Sequence, residues 1–213
     1  MTTRAPAVDA LLARVRAAVR AQPVTVAAVP DHAVVRRVPR DRTDLTDLTG
    51  LTDLFAEKAT AVGMRVTRTT DDGLDAVLAT LLESRGRTVV AVRDTALAAR
   101  ATAAAGARLA PNDDADRAAD RLFDCEVGIT DVDCAIAESG SLVISTNGRL
   151  RNAWITPPIH LAIVRASQIL PDLVDLFESR PDALDAASTT IITGPSKTAD
   201  IEGVLVTGVH GPA

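Results

Sequence analysis

Aromatic residues are scarce in this chain. They make up 2% of its 213 residues, as one Trp and three Phe, and Tyr is absent. A core has to be built from Ala, Val, Leu and Ile, and a hydrophobic content of 47% is enough for one. Basic charge is also short, with a formal net charge of −5. Nucleic-acid binding needs a basic patch and usually stacking aromatics, so that class of partner is not expected. Cysteine is limited to Cys125 and Cys134, whose spacing fits no zinc or iron–sulfur ligand set. Two cysteines do not make a disulfide framework, and buried thiols in a reducing compartment are expected. No long apolar run follows the opening "MTTRAP", and Arg14, Arg16 and Arg20 interrupt the first helix. Neither a signal peptide nor a membrane span is expected, and an acidic, cytoplasmic protein is. The glycine spacings of Rossmann and Walker phosphate loops are missing too. The three histidines, His32, His160 and His210, are too scattered for a metal signature.

What is present reads as alternating helices and strands. Val8, Leu11, Leu12, Val15 and Val19 recur at helical spacing, and Pro23 ends that helix. Residues 22–42 carry three prolines and read as an extended arm. A second helix follows, with Leu45, Leu48, Phe55, Ala59 and Val62 on one face, Thr43 or Asp44 as its cap and Gly63 as its end. Beyond it, "MRVTRT" alternates like a strand, 71–85 is helical, and "TVVAV" (88–92) reads as a buried parallel strand. A helix over 94–105, a strand at "RLAP" and a charged helix over 113–121 continue the alternation of a parallel α/β sheet. The second half is richer in strands. They fall at 125–130, at Cys134–Ala137 and Leu142–Ser145 as a hairpin, at 159–166, at "TTIIT" and at "GVLVTGV". A helix starting at Pro171 runs to about Leu184.

Two stretches carry chemistry. In "ITGPSKTADIEGVLVTGVHGP" (192–212) a strand runs into Gly194-Pro195-Ser196, and ligand crevices in open α/β sheets lie beyond the carboxyl ends of strands. Ser196 or Thr198 is placed to cap a short helical turn, "TADIE". Asp200 and Glu202 would repel an anion. They read either as acceptors for ligand hydroxyls or amines, or as ion-pair partners of Lys197, Arg149 or Arg151. His210 at a strand end reads either as an acid–base group or as a surface histidine near the terminus. His160, inside an apolar strand, is expected in the core, bonded to a backbone group. The second stretch is Glu138-Ser139-Gly140, where the acid lies either in a sheet-end crevice or at a hairpin tip. The loop "NGRLRNAW", with Arg149 and Arg151, is either a solvated loop or an anion-binding one.

Taken together, "GITDVDCAIAESGSLVI", "PPIHLAIV" and "ITGPSKTADIEGVLVTGVHGP" resemble the lactate utilisation protein C family, the LUD-domain proteins. The resemblance runs from about residue 60 to the end. It implies one LUD-type domain over 1–213, with 1–62 as N-terminal helix, proline-rich arm and second helix. The implied fold is a three-layer α/β/α with a mixed, mostly parallel sheet, similar to CoA transferases and ribose-5-phosphate isomerase. Lys197 stands where that family usually has Arg, which turns a bidentate contact into a point charge.

The resemblance also implies a function: a non-redox subunit in the oxidation of L-lactate to pyruvate. Its partners would be iron–sulfur proteins that carry the clusters, with a small organic acid as ligand and no cofactor or metal on this chain. It moves Glu138, Asp200, Glu202 and His210 to catalytic candidates. Ser139, Gly140, Arg149, Gly194, Pro195, Ser196 and Lys197 become candidates for substrate binding. Two other readings stand beside it, a stand-alone CoA-transferase-like enzyme with Glu138 as nucleophile, and a binding protein for small anions or phosphosugars. Oligomeric state is left open, a homo-oligomer included.

Overall fold

The apolar run after Arg87 and the strand-like run after Cys125 become neighbouring parallel strands. In the computed structural model, which describes residues 6–21, 47–110, 122–201, 204–208 and 211–212, β1 (Thr88–Ala91) pairs with β2 (Val127–Asp131). On its other side β2 pairs in parallel with β5 (Ile159–Ile163). Every residue of β2 is buried, as expected of a central parallel strand covered on both faces. One cover is helical. Leu74, Leu78 and Leu82 of α3 (Leu74–Leu82) and Leu97 and Ala101 of α4 (Thr95–Ala105) pack with Val127, Ile129 and Ile163. Asp94 starts α4 by accepting hydrogen bonds from the Ala96 and Leu97 amides.

A second sheet is mixed, in the order β6 (Ile169–Leu170), β3 (Cys134–Ile136), β4 (Ser141–Ser145), β7 (Thr189–Ile192). β3 pairs parallel with β6 and antiparallel with β4, which pairs antiparallel with β7. Strand alternation splits its side chains between two helical layers. Ala135, Ala137, Leu142 and Ile144 meet Leu51, Phe55 and Ala59 of α2 (Leu48–Ala61). Cys134, Ile136 and Val143 meet Leu176 of α5 (Leu173–Ser179) and Ala183 of α6 (Pro181–Leu184). The fold is therefore mixed α/β, with helices on both faces of this sheet. A two-stranded antiparallel sheet, β8 (Lys197–Ile201) with β9 (Val204–Thr207), completes the described strands. The chain divides into two compact units, residues 1–34 and 35–213, and α1 (Pro6–Ala21) lies in the first.

Several expected elements differ. The α2 cap is Asp47, whose carboxylate accepts from the Gly50 amide at 2.6 Å; Thr43 and Asp44 lie outside the described residues. "MRVTRT" is irregular and pairs with no described strand. "RLAP" contributes one bridge, Leu109 to Thr88, and the charged segment 113–121 lies outside the described residues. The helix expected over 171–184 breaks at Arg180, because a residue before proline is pushed out of the helical region and Pro181 starts a new turn. "TADIE" is not a helical turn. Its residues 198–201 belong to β8, where pairing with β9 outweighs a local cap, and Glu202 lies outside the described residues. Among the described residues no helix is long and apolar enough to cross a membrane.

Candidate functional site

The hairpin tip and the end of β7 meet over the last turn of α2. Gly140 closes the tip with a φ of +67°, and a Cβ there would run into the backbone of Lys58 and Ala59. Gly194, one residue beyond Thr193, has a φ of +86°, and its Cβ would run into Val62. Both positions need glycine twice over, for conformation and for space. The Pro195 ring sits against Gly63, and Lys197 Nζ donates to the Val62 carbonyl at 3.4 Å. That contact places a cation at a helix C-terminus, where the backbone dipole favours it.

Glu138 and Ser139 are half-buried at the tip, and the Glu138 amide donates to the Pro171 carbonyl at 3.0 Å. Ser139 Oγ lies 2.7 Å from Ser141 Oγ, which lies 2.7 Å from Thr193 Oγ1. Ser196 is tied on both sides. Its amide donates to Pro212 and its carbonyl accepts from the Gly208 amide, each at 2.8 Å. The structure therefore brings Glu138, Ser139, Gly140, Gly194, Pro195, Ser196 and Lys197 around one helix end. Asp200 lies in β8, where the register shifts between Thr198 and Ile201. The Asp200 side chain, Glu202 and His210 lie outside the described residues. Ser141 and Thr193 went unnoticed in the sequence because serine and threonine in strands are common; only the cross-strand register joins them.

Arg149 is not in this group, and its reading as a loop anion binder is corrected. Its side chain is fully buried. Nε donates to Asp131 Oδ1 at 2.7 Å, and Nη1 donates to Asp133 Oδ2 at 2.9 Å and to the Ser145 carbonyl at 3.1 Å. Two internal carboxylates and one carbonyl thus take up Nε and Nη1, while the buried Nη2 has no hydrogen-bond partner among the described residues. Arg93 Nη2 makes a further ion pair with Asp133 Oδ1 at 2.8 Å. Burial pushes the Asp131 carboxyl up. The Arg149 guanidinium and the Arg93 and Asp94 amides outweigh that, and hold it below the usual carboxylate range. The signal for this network was the pair of acids in "TDVDC", since a carboxylate inside an apolar run demands a partner. His160 is also corrected in detail. Its Nε2 meets a side chain, Thr130 Oγ1, at 2.9 Å, and burial pushes its pKa down to about 4.

Against this geometry the comparisons can be set. The family model of the LUD domain matches residues 52–213. The chain belongs to the LUD domain family. A lactate utilization protein C of Halalkalibacterium halodurans is 37% identical over 105 residues, 46% of this chain and 45% of the relative. One from a Geobacillus species is 39% identical over 92 residues, 40% of this chain and 38% of the relative. Each of these matches spans less than half the length of the relative. A crystal structure of a DUF162 family protein from Deinococcus radiodurans shares the fold with a TM-score of 0.56 and 19% identity. It covers 78% of this chain and 93% of its own.

Proposed function

We propose that this LUD-domain protein acts in lactate utilisation as a non-redox component that binds the small organic acid. The observation that carries the reading is the meeting of the hairpin tip and the end of β7 over the α2 terminus. There the exposed Lys197 ammonium and the hydroxyl chain of Ser139, Ser141 and Thr193, which keeps one outward proton, are offered to a small acid. Relatives named lactate utilization protein C support the substrate class. Electron transfer is assigned to iron–sulfur partner proteins. Burial pushes the thiols of both Cys125 and Cys134 up, Cys134 to about 11, which does not suit them as cluster thiolates. A kinship with the CoA-transferase and ribose-5-phosphate isomerase folds belongs to the same proposal.

Titration calorimetry of the full chain with L-lactate and pyruvate tests the reading, together with a tagged pull-down from cells grown on lactate. Saturable binding of an acid and co-purifying iron–sulfur proteins are the expected results. No binding of either acid, with the chain recovered alone, overturns it. The half-buried Glu138, set one residue before Ser139-Gly140 at a tight turn, favours a second reading, an acyl-transferring enzyme. In that case the Glu138 carboxylate attacks a thioester carbonyl, the C–S bond breaks and the thiolate leaves. Hydroxylamine trapping after exposure to acyl-CoA decides it, and absence of an adduct on Glu138 ends it.

A further inference from the structure

The hydroxyls of Ser139, Ser141 and Thr193 form a continuous chain with two links of 2.7 Å, an ordinary O–H···O length. Its middle member is 2% exposed, while Ser139 is half-buried and Thr193 is exposed. Each hydroxyl carries one proton to donate and two lone pairs to accept with. Within the chain, Ser141 therefore accepts from one neighbour and donates to the other. If both neighbours donated to Ser141, its own proton would be left buried without an acceptor, which is costly. Two arrangements remain. In one, Ser139 donates inward and Thr193 keeps its proton for the outside. In the other the roles are exchanged. The geometry permits either direction, so a ligand that meets the two ends selects one.

The two ends are thus never alike. When one offers a proton, the other offers only lone pairs. We propose that Ser141 is a positioning residue that couples Ser139 and Thr193 in this way. The hydroxyl chain then takes a 2-hydroxy acid in preference to the matching 2-oxo acid. The inference rests on the organic-acid reading above and adds the discrimination to it. A 2-hydroxy acid accepts through its carboxylate at one end and donates through its hydroxyl at the other, so both ends are satisfied. A 2-oxo acid has only acceptors. At its second end it either sets lone pairs against lone pairs or forces the Ser141 proton to go unpaired. A mismatch of that kind is worth about tenfold in affinity.

The test is calorimetry of the full chain with L-lactate and with pyruvate, for wild type, Ser141→Ala, Ser141→Thr and Thr193→Val. Wild type is expected to favour L-lactate about tenfold. Ser141→Ala frees both end hydroxyls to donate independently, so the ratio should fall to within about twofold of unity, chiefly because pyruvate binds better. Ser141→Thr keeps the hydroxyl and should restore the preference, which a merely structural role would not do. Thr193→Val changes an exposed residue without opening a cavity, and it should also collapse the ratio. It serves where Ser141→Ala fails to fold. An unchanged ratio in folded Ser141→Ala or Thr193→Val overturns the coupling and leaves the acid-binding reading intact. Failure of wild type to bind either acid overturns both.

Discussion

Arg149 Nη1 donates to Asp133 Oδ2 at 2.9 Å, and neither side chain has any exposure to solvent. The same guanidinium holds Asp131, the last residue of β2, so one cation ties the carboxyl end of the parallel sheet to the start of the β3–β4 hairpin. Removing it leaves two buried carboxylates with Arg93 as their one remaining ion-pair partner among the described residues. Arg149→Met should lower the unfolding free energy by about 3–5 kcal/mol, because an uncompensated buried charge costs more than the pair contributed. Urea unfolding measures it. Adding Asp131→Asn and Asp133→Asn should recover part of the loss, since the charges would then be gone on both sides. A single variant as stable as wild type would refute this account of the network.

Acid should act on stability in two windows. Burial holds His160 neutral, with its pKa pushed from the usual 6.5 down to about 4. Between those values the unfolded chain binds a proton that the folded chain refuses. Stability is therefore full above about pH 6.5 and falls as the pH drops toward 4, by up to about 3 kcal/mol from this residue. Asp131 acts lower. Its carboxyl is depressed in the fold, so its stabilisation is present above the ordinary carboxylate pKa and is lost as pH falls below it. Denaturant midpoints from pH 8 to pH 3 for wild type and His160→Gln check this. The variant should lose the upper slope and keep the lower one.

How much of this was legible follows from period and range. The run at 88–92 declared a buried parallel strand because it is almost wholly apolar, and β1 occupies it; the runs at 125–130 and 159–166 declared strands, which β2 and β5 fill in part, but their parallel pairing was not legible. The β3–β4 hairpin was legible because Glu138-Ser139-Gly140 interrupts two apolar runs at hairpin distance. The two-residue β6 was not, since so short a strand carries no period. β8 was misread because "TADIE" looks locally like a capped turn, whereas its partner lies in the next strand. The residues of the candidate crevice were visible as motifs, but their meeting over the α2 terminus was not. That meeting depends on Gly140 and Gly194 admitting a helix backbone, which no local pattern announces. Arg149 was assigned outward because a polar loop surrounds it; its partners lie 18 and 16 residues away.

Gly140→Ala tests whether that close approach sets the crevice. The new methyl would meet the backbone of Lys58 and Ala59, and alanine would be held at a φ of +67°. Positive φ costs about 1–2 kcal/mol, and forced overpacking about 1–3 more. A loss of roughly 3 kcal/mol in unfolding free energy is expected. Hydrogen exchange should quicken in the last turn of α2 and leave α3 and α4 unchanged. Equal protection at both places would mean that the tip and the helix are not in contact as described.

Lys197 is the last test, because it separates charge from structure. The side chain is exposed and makes one long hydrogen bond, to the Val62 carbonyl. Its removal should barely touch stability. Lys197→Gln should shift the melting temperature by less than about 2 °C, since surface substitutions away from the core stay within about 0.5 kcal/mol. If Lys197 supplies the charge that meets a carboxylate, the same variant should weaken L-lactate binding about fivefold at low salt, as an exposed ion pair of about 1 kcal/mol would. The difference between variant and wild type should shrink at high salt, where exposed charges are screened. Lys197→Arg keeps the charge and adds a planar fork, so its affinity should equal or exceed that of wild type. If Lys197→Gln binds as tightly as wild type at low salt, the cation serves only the end of α2, and the carboxylate must be met by whichever of the Ser139 and Thr193 hydroxyls keeps its proton.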